Sequence, residues 1–459
     1  DFADFNAEED APVPVSDDGD DGLGNDPAPT LKPAREKFIG VEAAIKAWRL
    51  KTTDFGVVPN SFVNAVKILE NDPRLTGCVK FNDFLHDKLL MRRIPGSDFK
   101  PAAEGSPWID QHTLAIREFT EKAYDVIFPK ALIEDACERV SHKFTFDPVK
   151  EWMDGLTWDG KPRLATFLHD TLGAERNEYH AAVFTKWLCA GVARTYHPGH
   201  KFDNMLVLEG DEGRGKSRLI RALANGYFTD DFSFGLTSKE VVEQSKGSLI
   251  IEVQEMSTRS HADVEHIKAF LSRGEERVRM AFKHNTGHFP RRWIIAGSTN
   301  ETEYLKSQTG NRRFWCVRGD GREIDVDAVK KIVPMLWAEA KHLYLDGAEP
   351  LYLEDKTVLA FAVEQQAARV EVDGWVSVIS DWLDAVPSPD FDGDLKTPRD
   401  RTTAVQIWDD CLDGDASKFN QSISRRITAI MRKMPGWASV ETVRLGHGYA
   451  PARGFVRMS

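Results

Sequence analysis

Residues 205–223 constrain this chain more than any other stretch. Met205-Leu206-Val207-Leu208 is a short apolar run with the pattern of a buried strand. Gly210 to Ser217 then fits G-x-x-x-x-G-K-[ST] at every fixed position, and Leu219, Ile220 and Leu223 follow at helical spacing. Strand, glycine loop and helix in that order are the context that a phosphate-binding loop requires. A chance glycine-rich turn with a lysine would not bring both flanks. Gly210, Gly213 and Gly215 let successive N–H groups turn inward as an anion nest. The helix behind them points its positive end at the same place. Lys216 is placed to reach the β- and γ-phosphates of a nucleotide, and the Ser217 hydroxyl to ligate Mg²⁺. Arg218 completes the expected nucleotide-binding set. ATP and Mg²⁺ are the expected cofactors.

A phosphate loop works with an acidic strand beside it. Ser248-Leu-Ile-Ile-Glu252-Val-Gln-Glu255 is the next apolar run that carries carboxylates. One acid holds Mg²⁺ and a second can polarise the attacking water. Glu252 and Glu255 are both candidates, and alternation puts them on opposite faces while the strand stays regular. Arg291 to Asn300 reads as another strand, with Asn300 at its tip to orient water or to start a turn. Between the two lie a helix ending near Gly274 and a β-hairpin around His284-Asn285-Thr286-Gly287. Arg277, Arg279, Lys283 and His284 cluster on that hairpin, as they would to track a phosphate backbone or to face solvent. Arg312 and Arg313 precede an apolar strand. Either can act as an arginine finger on a neighbouring subunit, or make structural ion pairs.

Composition decides which classes to leave out. The chain has 459 residues, 41% hydrophobic and 29% charged, which suits a soluble globular protein of several domains. No apolar run approaches a membrane span and no signal peptide opens the chain. Cys78, Cys137, Cys189, Cys316 and Cys411 are scattered without a C-x-x-C pair, so reduced thiols in a cytoplasmic protein are expected, with no zinc site. The net charge of −12 is misleading. The first 30 residues hold ten acidic side chains and no basic one, which leaves the rest near neutral and able to carry basic patches.

The expected organisation follows in order. Residues 1–35 read as a disordered acidic linker, expected to have joined a missing N-terminal domain. Residues 36–150 form a mixed, mainly helical domain, in which Phe62, Val66 and Leu69 are expected on one buried helical face. Residues 151–200 form a helical collar packed by Trp152, Trp158 and Trp187. Residues 201–318 hold the nucleotide domain, 319–385 a helical extension and 386–400 a linker. Residues 401–459 suggest a winged helix, with Arg425, Arg426, Arg432 and Lys433 on its second helix and Arg444, Arg453 and Arg457 on the wing. Such a module binds duplex DNA or serves as an adaptor.

Several pieces occur together and in order: Trp158-Asp-Gly-Lys-Pro-Arg163-Leu, Gly210–Ser217, Ile251-Glu-Val-Gln-Glu255, His266-Ile-Lys268-Ala-Phe-Leu-Ser-Arg273, Ser298-Thr-Asn300 and Gly310-Asn-Arg312-Arg313-Phe-Trp315. The combination resembles the virulence-associated protein E family of phage and mobile-element proteins, whose nucleotide core is similar to superfamily 3 helicases. The similarity spans roughly residues 55–385. It implies an α/β P-loop NTPase core of the AAA+ or superfamily 3 kind. It also implies a homo-hexameric ring ATPase moving on single-stranded DNA during replication, with a primase module or polymerase as a partner. Under it Lys216 and Ser217 bind phosphate and Mg²⁺, Glu252 and Glu255 form the acidic motif, and Asn300 is the sensor. Arg312 or Arg313 is the trans-acting finger, and Lys268, Lys283 and His284 contact DNA. The acidic motif departs from the family pattern because it lacks an adjacent pair of acids, which leaves the base open between Glu252 and Glu255. A rival of another class is a nucleotide-switched DNA-binding or assembly factor that does not move.

Overall fold

The computed structural model describes residues 40–102, 105–254, 267–280, 285–305, 310–370, 373–385, 399–445 and 449–458. The acidic tract, most of the 386–400 linker, Glu255, Lys283 and His284 lie outside them. The chain divides into two compact units. One ends at Phe144 and leaves out Phe81–Asp87; the other holds Phe81–Asp87 and everything from Thr145.

The first unit contains helices α1 (Val41–Trp48), α2 (Phe62–Asn71), α3 (Asp110–Tyr124) and α4 (Lys130–Lys143). Strands β1 (Val79–Asn82), β2 (Asp87–Leu90) and β3 (Ser106–Pro107) form a small sheet in that order. The Ser61 side chain caps α2 by accepting from the Asn64 amide. The buried residues of α2 are Asn64, Ala65, Ile68 and Leu69, while Phe62 is 43% exposed. This corrects the expected face. Asn64 takes the inward position because its side chain bonds to both backbone groups of Lys51 and to the Pro59 carbonyl, and the helix turns to bury it. Helical spacing groups Ala131, Ile133, Ala136, Cys137 and Val140 on α4; all are buried except Ala131, which is exposed in the first turn.

The second unit is built on a parallel five-stranded sheet. Its strands are β4 (Met205–Glu209), β5 (Phe228–Thr229), β6 (Ile250–Val253), β9 (Ile294–Thr299) and β10 (Phe314–Arg318), in the order β10-β4-β9-β6-β5. An antiparallel pair, β7 (Glu275–Val278) and β8 (Gly287–Pro290), precedes β9. Alternation sends Leu206, Leu208, Ile294 and Ala296 to one core and Met205, Val207, Ile251 and Ile295 to the other. Burial on both faces is why these strands read as continuous apolar runs.

The first of those cores is covered by α5 (Pro148–Gly155), α6 (Phe167–Leu172), α7 (Glu178–Tyr196), α8 (Lys216–Leu223), α10 (Val326–Leu345) and α11 (Lys356–Ala367), while α9 (Ser238–Ser245) packs against the second. Two buried indoles pin helices to the sheet side. Trp187 donates to the Ile295 carbonyl at 2.8 Å, and Trp337 donates to the Leu223 carbonyl at 2.9 Å. Trp152 packs edge-on to Trp337. Trp158 instead stacks on His342 and donates to the Lys161 carbonyl.

Toward the C-terminus come α12 (Trp375–Asp384), β11 (Arg401–Thr403), α13 (Gln421–Lys433), β12 (Trp437–Val443) and β13 (Ala452–Arg457), with strand order β11-β13-β12. After β11 a short α turn, Ala404–Gln406, runs into a π-helical turn, Ile407–Cys411. Ile379 and Leu383 of α12 share a core with Ile407, Ile427, Met431, Trp437 and Phe455.

Candidate functional site

The site lies at the carboxyl ends of the parallel strands, where open α/β sheets place ligands. Gly213 (φ +77°) and Gly215 (φ +92°) take left-handed conformations that a side chain would strain. They turn the chain from β4 directly into α8. A cleft of about 550 Å³ opens here, lined by residues 212–218 and by Gln254, Ser298, Thr299, Asn300 and Glu301.

β9 sits between β4 and β6, so it brings its tip between the loop and the acidic strand. Lys216 is only 8% exposed. It donates to the carbonyls of Gly210 (2.6 Å) and Asp211 (2.8 Å) and to Asn300 Oδ1 (2.9 Å). Burial lowers its pKa, against the pull of Asp211, Glu212 and Glu252. A phosphate would exchange those neutral acceptors for charged ones.

Ser217 donates its hydroxyl to Glu252 Oε1 at 2.6 Å, and Ser298 donates to the same oxygen at 2.7 Å. Glu252 is fully buried, and its Oε2 has no hydrogen-bond partner among the described residues. Burial raises its pKa, and the two serine hydrogen bonds oppose the shift. An orphan carboxylate oxygen beside a serine hydroxyl is a hard-oxygen donor set that fits Mg²⁺, which uses one or two carboxylates and keeps waters. No cluster of three or more His, Cys, Asp or Glu side chains suited to a metal exists among the described residues.

The other expected residues separate. Arg218 lines the cleft and faces Glu323 at 3.8 Å. Arg312 and Arg313 lie on a 3₁₀ turn before β10, and neither lines this cleft. Arg313 is engaged, donating to Ser272 Oγ at 3.0 Å and facing Asp203 at 3.6 Å. Arg312 is exposed, with no side-chain partner among the described residues. On the hairpin, Arg277 is exposed and bonds to Glu275 within its own strand, and Arg279 is exposed. Lys268 is 5% exposed and packs against Gly310, so it is not on a free surface as the DNA reading expects. Its short helix buries that face with Ile267 and Leu271. Arg425 is exposed. Arg426 pairs with Asp373 at 2.7 Å through two nitrogens and lies over the Trp375 ring, tying α13 to the start of α12. Arg457 bonds to Asp384 and the Leu383 carbonyl.

Ser298 is a site residue that the sequence reading used only as part of a motif. Its signal is its place two residues before Asn300 on a strand of period two.

Fold and site together define a mixed α/β protein whose parallel sheet places Lys216 and Ser217 on one polar cleft, with the buried Glu252 carboxylate bonded behind Ser217. Residues 153–371, which contain all of these, match the model of the virulence-associated protein E-like domain. No curated protein matches the chain. Similar solved structures include "The apo structure of NrS-1 C terminal region (305-718)", 12% identical, covering 83% of this chain and 95% of that one with a TM-score of 0.42. A second, "The A form apo structure of NrS-1 C terminal region-CTR(305-718)", is 12% identical, covering 83% and 96%, with a TM-score of 0.43. Among the described residues no helix is long and apolar enough to cross a membrane.

Proposed function

We propose that the chain is an Mg²⁺- and ATP-dependent DNA helicase or translocase of phage or mobile-element replication, working as a homo-hexameric ring on single-stranded DNA. One observation carries this reading. Lys216 meets Asn300 at 2.9 Å, and Ser217 meets Glu252 at 2.6 Å, around a single cleft at the end of a parallel sheet. In the proposed P-loop core, the loop amides and Lys216 hold the phosphates. Ser217 and Glu252 would hold Mg²⁺, whose charge would offset that of the phosphates. Asn300, released from Lys216 by phosphate, orients the attacking water. Arg312, exposed where Arg313 is occupied, is the better candidate for the finger offered to a neighbouring copy. Hydrolysis would move the β7–β8 hairpin along the strand. The winged-helix reading of 401–459 finds support in a helix packed on a three-stranded antiparallel sheet.

The test is steady-state ATP hydrolysis with and without single-stranded DNA, run beside forked-duplex unwinding, with Lys216→Ala as the blank. DNA-stimulated hydrolysis and strand separation, both lost in Lys216→Ala, are expected. Wild-type turnover by Lys216→Ala would sink the site assignment. Hydrolysis that ignores DNA, with no unwinding, would favour the nucleotide-switched binding factor.

A further inference from the structure

Glu209 ends the strand that enters the glycine loop and is 4% exposed. A carboxylate at such a place needs partners. Arg369, 7% exposed, supplies two bonds: its Nη2 donates to Glu209 Oε2 at 2.8 Å and its Nε donates to Oε1. Tyr304 donates its hydroxyl to the same Oε1 at 2.7 Å. The backbone carbonyl of Arg369 accepts from the amides of Tyr304 (3.1 Å) and Leu305 (2.9 Å), and Leu305 bridges Val370. Three residues earlier, Gln366 donates to the Phe314 carbonyl at 3.1 Å. The last turn of α11 and the residues just past it, 366–370, therefore grip three segments at once. These are the strand end under the glycine loop, the loop four residues past Asn300, and the residue directly after Arg312 and Arg313.

We propose that Arg369, seated on Glu209 and backed by Tyr304 and Gln366, is a positioning residue. It sets how a copy presents Arg312 to its neighbour according to what its own glycine loop holds. The inference rests on reading Arg312 as the trans-acting finger. Its route is physical. Phosphate that takes Lys216 frees Asn300, and the change passes along residues 300–305 to the arginine that pins Tyr304 and Leu305. The same helix end holds Phe314, next to the finger turn. A bidentate arginine–carboxylate pair transmits position because its geometry is fixed. Stability alone does not call for it, since packed apolar residues serve a buried position as well.

Mixed oligomers test the proposal. Arg369→Lys and Tyr304→Phe copies keep their own glycine loop and are expected to hydrolyse ATP about 100-fold more slowly, with KM for ATP little changed. Mixed with Glu252→Gln copies, which keep Lys216 and the glycine loop to hold phosphate, lack the carboxylate for Mg²⁺ and present an intact Arg312, each is expected to regain roughly a tenth or more of the wild-type rate per competent site. Arg312→Ala mixed with Glu252→Gln is the control. Recovery in that control but not for Arg369→Lys or Tyr304→Phe overturns the coupling and leaves Arg369 as a local support. No recovery in the control overturns the trans-acting finger, and the coupling falls with it. Unchanged turnover in both positioning variants also overturns the proposal. Tyr304→Phe removes a single hydroxyl, so the test survives if Arg369→Lys fails to fold.

Discussion

At the scale of single residues, Glu252 carries the most information. Its carboxyl is buried, its Oε2 is orphaned, and burial holds its pKa above the ordinary 4.5. The sign of the linkage follows. With a folded-state pKa above the unfolded one, the favourable contribution is complete below the unfolded pKa and is lost as pH rises through the folded pKa. In metal-free buffer, Glu252→Gln should therefore gain stability relative to wild type as pH rises across that window. Chemical denaturation at a series of pH values measures it, and a difference independent of pH would refute the buried-carboxylate account. Added Mg²⁺ should stabilise wild type and leave Glu252→Gln unchanged, because the cation has lost its ligand. Lys216 contrasts with Glu252. It is nearly as enclosed but keeps three acceptors, so its ammonium has no unmet bond.

At the scale of elements, α7 shows tertiary packing overriding local propensity. Gly191 lies inside this helix, where alanine would normally stabilise by about 1 kcal/mol. A Cβ there would meet the Trp337 ring at 2.6 Å and 2.8 Å. That ring is fully buried and tethered through its indole nitrogen to Leu223, so it has little room to move. Gly191→Ala should destabilise by about 1–3 kcal/mol, the usual cost of overpacking a core. A melting temperature equal to or above wild type would show that Trp337 moves freely. The hairpin gives a parallel lesson. Arg291 is buried and donates to the Phe270 carbonyl and to Glu276, joining the return strand to the strand it pairs with. Residues 287–290 lead through Arg291 straight into β9 and Asn300, so β8 and Asn300 share one continuous segment.

At the scale of the whole molecule, two properties are expected. Ligand that binds only the folded state stabilises it by mass action, about 2.7 kcal/mol at a hundredfold excess over Kd. Mg²⁺-ATP should raise the melting temperature of wild type and not that of Lys216→Ala; equal shifts would place the nucleotide elsewhere. The C-terminal segment should supply part of the affinity for DNA. Arg425, Arg432 and Lys433 are exposed on α13, while Arg426 and Arg457 are committed to Asp373 and Asp384. Replacing Arg425 and Arg432 together by alanine should lower the slope of log affinity against log salt by about 1–2, whereas a slope equal to wild type would assign this segment to protein contacts.

The sequence by itself determined the local units. Strand, glycine loop and helix over 205–223 and the antiparallel pairs β7–β8 and β12–β13 were legible because apolar periodicity and glycine conformation act within a few residues. The tertiary structure alone decided what depends on distant partners. It seated Asn64 inward and left Phe62 exposed, buried Lys268, and occupied Arg313 while leaving Arg312 open. It added Ser298 to the Glu252 carboxylate 46 residues away. It also joined Glu209 to Arg369 across 160 positions. Spacing in sequence carries no trace of such a pair, because a buried charge chooses its partner by which faces the fold closes together, and that choice is made only when the sheet and helices pack.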